Sequence, residues 1–120
     1  MDPDHVDALV NLGIVLAATG RARQAQGRYE RAVGLAPDHV SALYNLGTFF
    51  LQRHQLEESI TLLRRAVEAD PGYLNAHLNL ALASLRARRY DEARAAAEAA
   101  LHLAPDNVQA SQILSALPRG

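Results

Sequence analysis

Three asparagines stand at a constant interval: Asn11, Asn45 and Asn79 follow one another at steps of 34 residues. A carboxamide donates through its NH2 and accepts through its C=O, so it can pair with both halves of a peptide unit. On an ideal helix Asn11 lies about 200° from Leu9, opposite an apolar stripe. That stripe is Leu9, Leu12, Gly13 and Leu16. Asn45 and Asn79 fall at the same angle in their own surroundings. Three such amides in a row could hold a passing extended backbone without reading its side chains. The plainer reading is three solvated side chains at one repeated position.

No other grouping points to chemistry. The histidines are His5, His39, His54, His77 and His102. None pairs at i, i+4 with another ligand type, so no zinc site is expected. His77 reads as a packing residue. Arg86, Arg88 and Arg89 make a basic turn, read as a solvated corner. Ser, His and Asp do not cluster, and there is no glycine-rich phosphate loop. Glu57-Glu58 and Asp91-Glu92 stand in first turns of helices, where the dipole favours acids. The chain is therefore expected to be non-catalytic, with no cofactor and no metal.

The elements that position the asparagines repeat with them. Ala36-Pro37-Asp38, Asp70-Pro71-Gly72 and Ala104-Pro105-Asp106 keep the 34-residue step, as do Ala25, Ser59 and Ala93, and Ala32, Ala66 and Ala100. A period of this length means a stacked array. Helical spacing and turn residues predict helices over about 6–19, 21–35, 39–53, 55–69, 73–87, 89–103 and 108–117. Asp4 is read as the cap of the first, and Pro37-Asp38 as stopping the second and capping the third. His54 stands where the first repeat has Gly20, and is strained if it turns left-handed. Gly27 and Gly34 lie inside the second helix and weaken it by about 1 kcal/mol each against Ala.

Composition narrows the class. The chain has 120 residues, 49% hydrophobic but only 5% aromatic, which suits helices packed through Ala and Leu. The net charge of −1 gives no support to nucleic-acid binding. With no Cys there is no disulfide or thiol chemistry. No apolar run approaches the roughly 20 residues of a membrane span, and no signal peptide is visible. The compartment stays open, with a soluble, cytoplasmic chain favoured because no signal peptide is visible.

The repeated phrase resembles the tetratricopeptide repeat family. Its pattern reads as Leu9, Leu12-Gly13, Leu16, Ala25, Tyr29, Ala32, Pro37 in the first unit. The second unit has Leu43, Leu46-Gly47, Phe50, Ser59, Leu63, Ala66, Pro71, and the third His77, Leu80-Ala81, Ser84, Ala93, Ala97, Ala100, Pro105. The small Ser84 and Ala97, and Ala81 for Gly, suggest a looser third repeat. The resemblance implies an all-α, right-handed α-solenoid of antiparallel helix pairs forming a single domain over 1–120. Its repeats fall at about 6–39, 40–73 and 74–107, with a capping helix at about 108–117. First helices would line the concave face, turning the asparagines into a ladder similar to that in the repeats of O-linked N-acetylglucosamine transferases. The function implied is a protein-interaction module or scaffold binding an extended peptide segment. The alternative is the substrate-docking region of a larger enzyme. Expected contacts are Asn11, Asn45, Asn79, Val10, Ile14, Tyr44, Thr48, Asn75, Leu78 and Leu82, in an apolar strip that also takes in Ala17, Leu51 and Leu85. Family members that clamp acidic chaperone tails carry Lys, Asn, Asn, Lys and Arg at positions occupied here by Val10, Ile14, Asn45, Asn75 and Asn79. Only Asn45 matches, so no charged partner awaits a terminal carboxylate.

The ends differ. Val108, Leu114 and Leu117 are expected to pack inward, leaving Gln109 and Gln112 wet. The first repeat has no such cover. Val6 and Leu9 are expected to face a missing neighbour, so weak self-association through that edge follows. The opening Asp2-Pro3-Asp4-His5 matches the end of a repeat, which suggests a piece of a longer protein.

Overall fold

The computed structural model describes residues 3–119, and all regular structure there is helical. Among the described residues the helices are α1 (Pro3–Ala18), α2 (Ala22–Leu35), α3 (Val40–Gln52), α4 (Leu56–Ala69), α5 (Leu74–Arg86), α6 (Tyr90–Leu103) and α7 (Val108–Ala116). α1 pairs with α2, α3 with α4 and α5 with α6. Each hairpin meets the next through α2–α3, α4–α5 and α6–α7, and α1, α3, α5 and α7 also touch in sequence. The result is an all-α helical-repeat solenoid measuring 46 × 26 × 21 Å.

Capping follows local chemistry, with two differences from the sequence reading. α1 already begins at Pro3, so Asp4 stands inside its first turn. The side chain on which that expected cap depends lies outside the described residues. α3 is capped by His39, not Asp38: Nδ1 accepts from the Ala42 N–H at 3.2 Å. Nε2–H is thereby free to donate to Asp7 of α1 at 2.9 Å, so one ring ties two repeats. At α7, Asn107 Oδ1 accepts from the Ala110 N–H at 2.9 Å. The hairpin turns place Gly20, His54 and Arg88 at φ of 81°, 62° and 61°. These residues are one repeat apart. Only the glycine takes that conformation freely; a side chain there costs about 1–2 kcal/mol.

Small residues let the paired axes approach. A Cβ on Gly13 would lie 2.5 Å from the Tyr29 ring, and one on Gly47 would lie 2.8 Å from Leu63 Cγ. In the third repeat the same two positions are Ala81 and Ala97, both fully buried. A methyl gained on one helix is matched by a smaller partner on the other. Ser84, Ala93 and Ala100 are also fully buried, so small side chains do not leave the third repeat open. Ser84 does carry a cost, because its Oγ is buried without a partner among the described residues. Ser84→Ala should therefore raise stability by about 1 kcal/mol, read from the urea midpoint. Ser59, also buried, donates to the Gly47 carbonyl at 2.8 Å and gains nothing from the same change.

Gly27 and Gly34 behave differently from Gly13 and Gly47. Both sit inside α2, and a Cβ would meet nothing within 4 Å at either. Gly27→Ala and Gly34→Ala should each add about 1 kcal/mol, and the pair about 2 kcal/mol, in thermal or urea unfolding. Gly13→Ala and Gly47→Ala should instead destabilise by about 1–3 kcal/mol through overpacking.

On the face made by second helices, α4 and α6 are linked by ions. Arg89 pairs with Glu57 and Glu92, and Glu92 also pairs with Arg64. Arg89 is thus a staple between repeats, not a solvated corner. The hydrogen bond from Arg64, followed by that from Arg89, holds the Glu92 carboxyl below its ordinary range, against some desolvation. A depressed carboxylate contributes stability above its unfolded pKa and loses it as pH falls through the folded value. The pairs are well exposed, so the contribution is small.

The ends correct one expectation each. Val6 and Leu9 are buried in the core and do not face a missing neighbour. The exposed apolar residues of α1 are Ala8, Leu12, Ile14, Val15 and Ala18. At the other end Val108 is 65% exposed, and Ala110 and Ile113 take its expected place in the core. Leu117 is buried, Leu114 is half-buried, and Gln109 and Gln112 are exposed.

Candidate functional site

The first helices form one side of the solenoid, and a cavity of about 400 Å³ opens between α1 and α3. It is lined by Ile14, Ala17, Ala18, Tyr29, Asn45, Thr48, Phe49 and Gln52. No lining residue is charged. Its floor follows from Gly13. Without a Cβ there, the Tyr29 ring reaches from α2 against the α1 backbone. Tyr29 meets Phe49 edge-on, with ring centroids 5.9 Å apart. Burial pushes the pKa of the Tyr29 phenol up. The Arg53 guanidinium lies over the Phe49 ring, 5.5 Å from its centroid.

The three asparagines stand at equivalent helical positions but do different things. Asn11 is exposed. Asn45 lines the cavity, and its Nδ2 donates backward to the Ser41 carbonyl at 2.8 Å and to Ser41 Oγ at 3.2 Å. Asn79 Nδ2 donates across to Thr48 Oγ1 at 3.0 Å and to Tyr44 Oη at 3.4 Å. Tyr44 in turn packs on Tyr73 with ring centroids 5.0 Å apart. Two of the three amides therefore have their NH2 committed within the protein. What they have left is an Oδ1, an acceptor.

Among the other expected contacts, Ile14 and Thr48 line the cavity with Asn45. Val10 and Leu78 do not line the cavity. Both are buried, Val10 in the first core cluster and Leu78 with Ala100 and Ala110. Leu51, also expected on the strip, is buried with Ile60 and Leu63. Leu51 is thus held by its own second helix, α4, and Leu78 by α6 together with α7. Asn75 is exposed, while Tyr44 and Leu82 are half-buried. None of these three lines the cavity, and neither do Asn11 and Asn79. The cavity lining adds Ala18, Tyr29, Phe49 and Gln52 to the contacts expected from the sequence. Extending the helical spacing from Asn45 by seven residues reaches Gln52, which was a usable signal. Tyr29 and Phe49 carry the pattern of core residues and gave none.

Among the described residues no three His, Asp or Glu side chains gather to hold a metal. No helix there is long and apolar enough to cross a membrane. His77 Nε2 lies 2.7 Å from the Pro71 carbonyl and ties α5 to its loop.

A family model for the tetratricopeptide repeat matches residues 10–73 and 50–108. The chain belongs to the tetratricopeptide repeat family. Solved structures agree with this. "MamA MSR-1 C2" is similar at 27% identity over 96% of this chain and 67% of that one, with a TM-score of 0.84. "First TPR of Spaghetti (RPAP3) bound to HSP90 peptide SRMEEVD" is similar at 19% identity over 96% and 91%, TM-score 0.90, a likeness of fold. An O-GlcNAc transferase mutant from Thermobaculum terrenum is similar at 28% identity over 92% of this chain but 22% of that one, TM-score 0.79. A comparison with curated proteins finds no match. A tetratricopeptide repeat is typically a non-catalytic interaction module, and the repeats here have that architecture.

Proposed function

We propose that this chain is a protein-binding module that holds an extended, uncharged segment against α1, α3 and α5. The observation that carries the reading is the α1–α3 cavity, lined by apolar groups, Asn45, Thr48 and Gln52 without a single charge. A segment lying there would bury Ile14 and the rim of Phe49. Its backbone N–H groups would meet Oδ1 of Asn45, and further along Oδ1 of Asn79. Asn11 would supply both donor and acceptor. Val10 and Leu78 support the helices behind this surface and make no contact with the ligand. Asn75, Tyr44 and Leu82 would border the path beyond the cavity.

The RPAP3 domain binds an HSP90 peptide ending in EEVD. Such a tail does not suit this groove. The corresponding positions are the buried Val10, the apolar Ile14, and Asn45, Asn75 and Asn79. None carries the cation that a carboxylate needs once desolvated. Likeness to part of the Thermobaculum transferase favours a second reading, in which the repeats dock substrate for an enzyme domain. Both readings use the same groove. The exposed Leu12 and Val15 support a further contact, weak self-association through the α1 edge.

The test is selection of binders from a random peptide library with free and blocked C-termini. Neutral internal segments should be enriched, and blocking the terminus should not matter. Enrichment of acidic C-terminal tails, or of nothing, would contradict the reading.

A further inference from the structure

We propose that the α1 edge of one molecule docks on the α5–α6 edge of a second copy, in the place its own α7 occupies. The inference rests on the self-association reading and states where the second copy binds. Its basis is register. Ala8, Leu12 and Val15, moved on by three steps of 34 residues, become Ala110, Leu114 and Leu117. In the intervening repeats these positions are Ala42, Leu46 and Phe49, then Ala76, Leu80 and Ala83, all buried. Each set faces the second helix of the preceding repeat, as α3 does on α2, α5 on α4 and α7 on α6. In α1 alone the set lies open, with Leu12 42% and Val15 57% exposed. The surface complementary to it is therefore an α5–α6 edge, and this chain carries one, under α7.

α7 holds that edge with limited means. It is nine residues long against sixteen for α1. Its side chains on the side away from α6 include Ser111 and Ser115, which are exposed where the repeats carry Leu43 and Gly47, or His77 and Ala81. α7 thus ends a stack, whereas α1 presents the face of an internal helix. Exchange of α7 for a neighbour's α1 would continue the solenoid with an α1–α2 hairpin in the position of a fourth repeat. The contact is head-to-tail and does not close on itself, so association should proceed past the dimer. Because α7 competes from within the same chain at high effective concentration, association of the intact chain is weak.

The test is sedimentation velocity over a concentration series on the full chain. The variants are Leu117→Asp, the milder Ile113→Ala, Leu12→Asp, and Leu12→Asp combined with each of the other two. Circular dichroism identifies any variant that fails to fold; if Leu117→Asp does, Ile113→Ala carries the comparison. Loosening α7 should strengthen association about tenfold or more and give species beyond dimers. Adding Leu12→Asp should remove it. If the intact chain associates through Leu12 but loosening α7 changes nothing, the exchange is wrong and self-association stands. Association that survives Leu12→Asp removes α1 from the contact. Monomers throughout, with α7 loosened and the fold intact, would overturn both.

Discussion

Leu46→Ala should lower the unfolding free energy by about 2–5 kcal/mol, while Leu12→Ala at the same repeat position should cost under about 1 kcal/mol. The two leucines sit one repeat step apart, in the same phrase, on equivalent helices. Leu46 is 4% exposed because the first repeat covers it, whereas Leu12 is 42% exposed because none of the described residues covers it. Truncating Leu46 leaves a cavity between repeats that the packed α2 and α3 cannot collapse. Truncating Leu12 removes carbon that was already half in water. The contrast separates stacking from intrinsic repeat stability, which a solenoid combines as nearest-neighbour sums. Urea unfolding followed by circular dichroism measures both. Equal losses at the two sites would mean that burial at Leu46 is not supplied by the preceding repeat.

The second large effect concerns affinity. Replacing Asn11, Asn45 and Asn79 together by Ala should weaken binding of a library-selected peptide by one to three orders of magnitude. That follows from about 0.5–1.5 kcal/mol for each lost hydrogen bond and about 1.4 kcal/mol per factor of ten. The three side chains are not equal in the free protein. Asn79 bridges α5 to Thr48 and Tyr44, so the triple variant should also lose about 0.5–1.5 kcal/mol of stability. Asn45 returns its NH2 to Ser41 of its own helix, and Asn11 is exposed, so neither should matter much for folding. Isothermal titration well below the thermal midpoint separates the two losses. Unchanged affinity would remove the carboxamides from the contact. The sign of the ligand's contribution is also fixed: with two NH2 groups engaged internally, the ligand supplies mainly N–H donors.

The fold was legible because one period governs it. The steps linking Asn11 to Asn45 to Asn79, and Pro37 to Pro71 to Pro105, define helices whose ends agree with the structure to within three residues. Less legible was the sideways face of each first helix. Val10 and Leu78 read as groove residues because they adjoin asparagines, but Val10 is buried in the first core cluster and Leu78 against Ala100 of α6 and Ala110 of α7. Val6 and Leu9 read as an exposed edge for a similar reason. A helical wheel gives the stripe facing a helix's own partner. It does not say which flank meets the preceding repeat and which the next. Leu12 aligns with Leu46 and Leu80, and in the second and third units that leucine is buried, whereas Leu12 is exposed. The turn at Arg88 was hidden because arginine rarely takes positive φ, yet it stands one step from His54 and two from Gly20. Tyr29 on the cavity floor had no signal of its own, since it becomes visible only beside Gly13.

The central claim is that the side formed by α1, α3 and α5 binds an extended uncharged segment. Amide and side-chain carboxamide NMR shifts during titration with a library-selected peptide test it most directly. The Asn11, Asn45, Asn79 and Gln52 carboxamides and the amides of Ile14 and Thr48 should move together along one saturable curve. Shifts confined to α2, α4 and α6, with those carboxamides unmoved, would contradict it.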